Sequence, residues 1–151
     1  MAEPMSRYSV AMSDLSNERA IVLVYSQRPE VRAAVRSAVG RRPSAQSPRI
    51  EWVEATNDRE VTLQLDTGEI DVVILDGEAQ PTGGMGLARQ FKYEIANCPP
   101  IGVIVARKQD AWLANWSLAD AVISTPLDPV DAATVVAGLL EVRMTGAPVI
   151  R

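Results

Sequence analysis

The stretch Ile70-Asp71-Val72-Val73-Ile74-Leu75-Asp76-Gly77 decides how the rest of the chain is read. Val72 to Leu75 are apolar and mostly β-branched, which suits a strand covered on both faces. Asp76 follows where such a strand leaves its sheet. Glycines come at 83, 84 and 86, where a helical pattern begins. In open parallel sheets the chemistry gathers at the carboxyl ends of strands, so Asp76 is the first candidate functional residue.

Upstream of that stretch, Ala20 to Tyr25 is a second continuous apolar strand. Pro29 suits the first turn of a helix, and Val31, Val35, Ala38 and Val39 share one helical face before Gly40 ends it. Arg41 to Pro48 is a Pro/Ser/Arg loop, and Ile50 to Glu54 is a short strand containing Trp52. Asn57 to Asp66 reads two ways. Val61, Leu63 and Leu65 alternate like a strand, but Asn57 and Glu60 resemble a helix cap. A helix is expected, because the flanking strands then become parallel neighbours.

Downstream, a helix from 84 to about 97 puts Ala88, Phe91 and Ile95 on one face, and Pro99-Pro100 stops it. Ile101 to Ala106 is a strand. Gln109 to about Leu118 is a short helix with Trp112 and Trp116 one turn apart, and Ala121 to Ser124 is a fifth strand. Asp128-Pro129 is a strong start for a last helix running to about Arg143. Strand and helix alternate five times. Right-handed crossovers turn this into an α/β doubly wound, flavodoxin-like five-stranded parallel sheet of order 2-1-3-4-5. The expected organisation is a flexible N-terminal extension over 1–19, one domain over 20–143 and a fraying tail over 144–151. Met5, Tyr8, Val10, Met12 and Leu15 in the extension are alternatively anchors for a partner.

With 151 residues, 47% apolar and 23% charged, the chain is long enough for one domain with a real core. A net charge of −4 argues against nucleic acid as the main partner; Arg41, Arg42, Arg49, Arg107 and Lys108 read as solvated loop charge. The absence of histidine excludes a Ser-His-Asp triad and ordinary zinc sites. Cys98 alone gives no disulfide framework, which fits a reducing compartment. No apolar run reaches the length of a membrane span and residues 1–18 lack a signal-peptide core, so a cytoplasmic protein without direct membrane insertion is expected. The glycines do not form a dinucleotide fingerprint after the first strand.

Four anchors in register, "IVLVYSQRPEVR", "DVVILDGEAQPTGGMGL", "PPIGVIVAR" and "ADAVISTPLDP", make residues 20–143 resemble the receiver domain of bacterial response regulators. The resemblance implies phosphoryl transfer to an aspartate, with Mg²⁺ held by carboxylates and a lysine and a hydroxyl gripping the phosphoryl oxygens. The phosphoacceptor falls on Asp76 and is kept. The acidic pair falls on Ser26 and Gln27, the hydroxyl position on Val105, the lysine on Thr125 and the aromatic switch on Val122. The Met-Pro after the acceptor becomes Ala79-Gln80, and the Asp-Gly of the same loop becomes Gly83-Gly84. Fold markers survive and reaction markers do not, so Asp76 is expected to be a vestigial phosphoacceptor with no catalytic residues, metal or cofactor. By resemblance to the family's Lys-Pro turn, a cis Thr125-Pro126 peptide is expected.

Function then moves to surfaces. Ala133, Val136, Ala137 and Leu140 form a stripe expected to face the sheet; Ala132, Val135, Leu139 and Val142 form a second. The second stripe is either a wide core face or a partner surface beside Trp112 and Trp116, which are themselves either core residues or interface anchors. With no effector domain expected after residue 143, the chain resembles an orphan, degenerate receiver. "LVYSQRPEVR" and "ILDGEAQPTGGMGLARQ" bring it close to the actinobacterial receivers associated with respiratory complex I. That resemblance implies a protein partner among complex I subunits, on the cytoplasmic arm of the NADH:quinone oxidoreductase. The alternative is a receiver that takes phosphate on Asp76 in a two-component pathway with Mg²⁺.

Overall fold

The computed structural model describes residues 14–79, 82–106 and 111–146. Its elements alternate as expected: β1 Arg19–Tyr25, α1 Pro29–Val39, β2 Arg49–Ala55, α2 Asp58–Asp66, β3 Val72–Asp76, α3 Gly84–Glu94, β4 Ile101–Val105, α4 Ala111–Ser117, β5 Ala121–Ser124 and α5 Pro129–Thr145. The five strands form one parallel sheet of order β2-β1-β3-β4-β5. The chain reverses direction of winding after β2, so β1 and β3 are adjacent and their carboxyl ends lie side by side.

Every residue of β3 and β4 is buried, which is why these segments read as unbroken apolar runs. Alternation divides the core. Leu23, Val73, Leu75, Ile101 and Val103 point to the side covered by α2 and α3, where Val61, Leu65, Leu87 and Phe91 pack. Val22, Val24, Ile74, Ile104 and Ile123 point to the side covered by α1 and α5, against Val35, Val39, Val136 and Leu140.

The ambiguous segment is the helix α2. Asn57 caps it, its Oδ1 accepting from the Glu60 N–H at 2.9 Å. Glu60 reaches back one residue further than a capping box requires: its Oε1 accepts from the Thr56 N–H and hydroxyl. Helix propensity alone did not fix this segment; burial of Val61 and Leu65, four apart, decides for the helical period over the alternating one.

Some boundaries differ from expectation. Helix α3 stops at Glu94, and Ile95 is extended, its N–H bonding the Phe91 carbonyl. Residues 14–18 attach to the domain: the Leu15 N–H donates to the Gln46 carbonyl, and Arg42 Nη1 to the Ser16 carbonyl. Helix α5 continues through Met144 and Thr145 to a left-handed Gly146. The apolar anchors at 5, 8, 10 and 12, Gln80, the Arg107-Lys108 pair and the start of the helix expected at 109 lie outside the described residues.

On helix α5 the second stripe is in large part the wide core face, the first of its two alternatives. Ala132, Val136, Leu139 and Leu140 are buried, while Ala133 and Ala137 are half-buried. Leu139, an interaction candidate from sequence, is 2% exposed and belongs to the core. It presses onto β4 where Gly102 has no side chain; a Cβ there would stand 3.2 Å from Leu139 Cδ1. Val135 and Val142 are half-buried, with Val135 packed at the edge of the same cluster. The sheet-facing arc is broad and takes one line from each stripe, which is why neither stripe alone described it.

Candidate functional site

The site is built where β1 and β3 end together. The parallel register sets Tyr25 beside Leu75 and Asp76 beside Ile104, so the residues after β1 hang over the Asp76 carboxylate. Gly77 and Gly84 let the following loop fold back tightly. A Cβ on Gly77 would stand 2.5 Å from the Ile104 carbonyl oxygen, and one on Gly84 2.6 Å from the Asp76 carbonyl oxygen. Both obstacles are backbone, so only glycine fits. Buried Tyr25 ties down the same loop, its hydroxyl donating to the Thr82 carbonyl at 2.6 Å. Burial, with the charges of Asp58 and Asp76 adding to it, raises the pKa of that phenol.

Asp76 is fully buried. Its Oδ2 accepts from the Ser26 hydroxyl at 2.7 Å and from Arg28 Nη2 at 3.1 Å; its Oδ1 accepts from the Glu78 N–H at 2.9 Å. Ser26 is equally buried, and its Oγ also accepts from the Arg28 N–H at 3.0 Å. Arg32 Nη1 donates to the Ser26 carbonyl at 2.6 Å, and Arg32 and Arg36 both clamp Glu54 at the end of β2. The Arg32 hydrogen bond holds the Glu54 carboxyl below its ordinary value; burial opposes it, and the charges of Arg36 and Arg32 add to the lowering. The β1–α1 junction thus delivers a cation and a hydroxyl to a buried carboxylate.

The side chains at the other sequence-derived positions do not join that network. Gln27 is half-buried, and its Oε1 has no hydrogen-bond partner among the described residues. Glu78 contributes its N–H while its side chain is exposed. Val105 is buried, and its carbonyl accepts from the Thr125 N–H at 3.0 Å and the Thr125 hydroxyl at 3.3 Å. Thr125 therefore directs its hydroxyl proton to the strand end of β4. Val122 packs half-buried against the α2/α3 side of the core. The Thr125-Pro126 peptide is cis, as expected. Among the described residues, no three His, Cys, Asp or Glu side chains gather as a metal ligand set.

Arg28 was missed in the sequence, although the signal was there. It caps α1 three residues past the end of β1, and β1 lies next to β3, which brings its side chain within reach of Asp76.

The tryptophans of α4 are both on the surface: Trp112 is 64% exposed and Trp116 47%. They do not sit beside a partner face of α5. Helix α4 packs on α3, where Arg89 lies over the Trp116 ring at 4.8 Å and the Tyr93 ring at 5.2 Å.

No family model matches the chain. An uncharacterized response regulatory protein of Mycobacterium tuberculosis is 46% identical over 119 residues, covering 79% of this chain and 90% of that protein, in each of two strains. A signal receiver domain from Bermanella marisrubri superposes with a TM-score of 0.66 at 21% identity, covering 79% of this chain and 96% of its own. The chemotaxis response regulator CheY4 of Vibrio cholerae gives 0.66 at 17% identity, covering 81% and 99%. These two likenesses show the fold.

Proposed function

The chain belongs to the response regulatory proteins, and on that premise we propose that it is a receiver-fold protein-interaction module that works without phosphoryl transfer. The observation that carries this reading is the pairing of Asp76 with Ser26, Arg28 and the Glu78 N–H. The family's reaction needs a hard dication on that carboxylate to offset the incoming phosphoryl charge. Here the carboxylate bears a guanidinium, and the acidic-pair positions are a serine and a glutamine. A donor set with one carboxylate and a resident cation does not fit Mg²⁺, which gives up water reluctantly. The phosphoryl grip is also missing, because Val105 has no side-chain donor and Thr125 donates to a backbone carbonyl. Asp76 then serves as the structural acceptor that fixes the β1–α1 junction.

We further propose that the module is a non-enzymatic accessory subunit docked on the cytoplasmic arm of respiratory complex I. The support for this partner is the sequence resemblance of the β1 and β3 regions to receivers associated with that complex. No helix among the described residues is long and apolar enough to cross a membrane, so attachment would run through protein contacts.

Two measurements test the reading. Exposure to acetyl phosphate or beryllofluoride with Mg²⁺ should leave the intact mass and the tryptophan fluorescence unchanged. A mass increase abolished by Asp76→Asn would establish the active receiver instead. A tagged chain should co-purify with the NADH:quinone oxidoreductase from native lysate, and elution solely as a free monomer would count against the accessory role.

A further inference from the structure

Arg89 is a guanidinium held in place and, among the described residues, paired with no carboxylate. Its Cζ lies over the rings of Trp116 and Tyr93, Nη1 donates to the Trp116 carbonyl, and Nη2 to the Tyr93 hydroxyl at 3.4 Å. A guanidinium has five N–H donors, so three remain after those two bonds. Among the described residues, the nearby carboxylates are engaged elsewhere: Asp120 takes Lys92 Nζ at 2.6 Å, and Glu94 accepts from Gln90 at 3.2 Å. Tyr93, 70% exposed, and Trp116, 47% exposed, flank this cation; Trp112, 64% exposed, lies one turn before Trp116 on α4, and Leu118, 40% exposed, follows the helix end. Leu118 has a left-handed backbone, φ 66°.

An exposed group of two tryptophans, a tyrosine and a leucine costs solvation free energy unless something covers it. Tryptophan, tyrosine and arginine are the residues that dominate binding energy at interfaces. A cation already stacked on two rings loses little side-chain entropy when a carboxylate arrives, and fork-like pairing favours a carboxylate over a neutral acceptor.

We propose that the α3–α4 face is a docking site for a partner segment that presents a carboxylate beside apolar side chains, the carboxylate seated on Arg89 and the apolar groups on Trp112, Trp116 and Leu118. Such a face supplies the interaction module with its partner chemistry, and so rests on that reading. It lies on the α3 flank of α4, away from α5, and uses Arg89 and Tyr93, which the sequence patterns did not mark.

The test is selection of a random 12-residue peptide display library on the full chain. Enriched peptides should carry Asp or Glu next to Leu, Ile, Phe or Trp. Arg89→Gln and Trp116→Ala should each weaken a selected peptide roughly tenfold or more, judged by calorimetry. Replacing the peptide's carboxylate by its amide should cost the same in wild type and nothing further in Arg89→Gln. Thermal melts confirm that each variant is folded, and Trp112→Ala, at the most exposed ring of α4, gives a second readout if Trp116→Ala is not. No enrichment, enrichment without acidic residues, or binding indifferent to Arg89→Gln and Trp112→Ala overturns the proposal. A wild-type dimer in sedimentation velocity that Trp112→Ala dissociates also overturns it, since a second copy then covers the face. Co-purification with complex I that survives the Arg89→Gln/Trp112→Ala double variant would remove this face while leaving the module reading intact; wild type failing to co-purify would remove the complex I assignment instead.

Discussion

Asp76 changes meaning once its neighbours are known. A carboxylate at a strand end is a reactive group when solvent and a metal reach it, and a structural one when fixed donors fill its lone pairs. Asp76 has three such donors, one of them charged. Arg28 is 45% exposed, so the pair is worth less than a fully buried one. Arg28→Ala should destabilise the fold by about 1–3 kcal/mol in urea denaturation. The same change in an Asp76→Asn background should cost clearly less, because no buried charge is then left unpaired. Equal costs in both backgrounds would show that Arg28 acts through packing. Glu54 provides a pH readout. Its folded-state pKa lies below the ordinary 4.5, so its contribution is fully present above 4.5 and is lost as pH falls through the lower folded value. The stability gap between wild type and Glu54→Gln should therefore narrow in acid denaturation below 4.5, and a constant gap would rule the ion pair out as its source.

Elements owe their positions to a few local contacts. Helix α3 begins against the end of β3 because Gly84 has no side chain; Gly84→Ala would place a Cβ on the Asp76 carbonyl. That variant should shift α3 and loosen the loop after Asp76, measured as faster amide exchange at Gly77 to Ala79. Loss of the Asn57 cap in Asn57→Ala should cost about 1 kcal/mol, since α2 is short and its cap bond is made by that side chain. On α5, Leu139→Ala should cost about 2–5 kcal/mol and Val142→Ala much less, because Leu139 fills the space over Gly102. Equal, small costs would restore Leu139 to the surface stripe. On this helix the wide-core alternative accounts for Ala132 and Leu139: buried Ala132, Val136, Leu139 and Leu140 form one broad arc, and Asp131, Thr134, Gly138 and Glu141 form the exposed line opposite.

At the scale of the molecule, the parallel order β2-β1-β3-β4-β5 brings Ser26 and Arg28 to Asp76, and the packing of α3 on α4 brings Arg89, Tyr93 and Trp116 together. Much of this was legible in the chain. Continuous apolar runs fixed β1, β3 and β4, Pro29 and Pro129 fixed two helix starts, and alternation of the two fixed the parallel sheet. These follow from covalent geometry and local burial patterns, which a sequence carries residue by residue. The loss of carboxylates at Ser26 and Gln27 was equally visible. What the sequence could not decide was which side chains meet across space. Arg28 on Asp76 depends on β1 and β3 being neighbours, 48 residues apart along the chain. Leu139 in the core depends on the missing side chain of Gly102, and the stacking of Arg89 depends on α3 packing against α4. Strand and helix identity is local physics. The occupation of a buried carboxylate and the exposure of a tryptophan are set by distant partners, and only the packed structure assigns those.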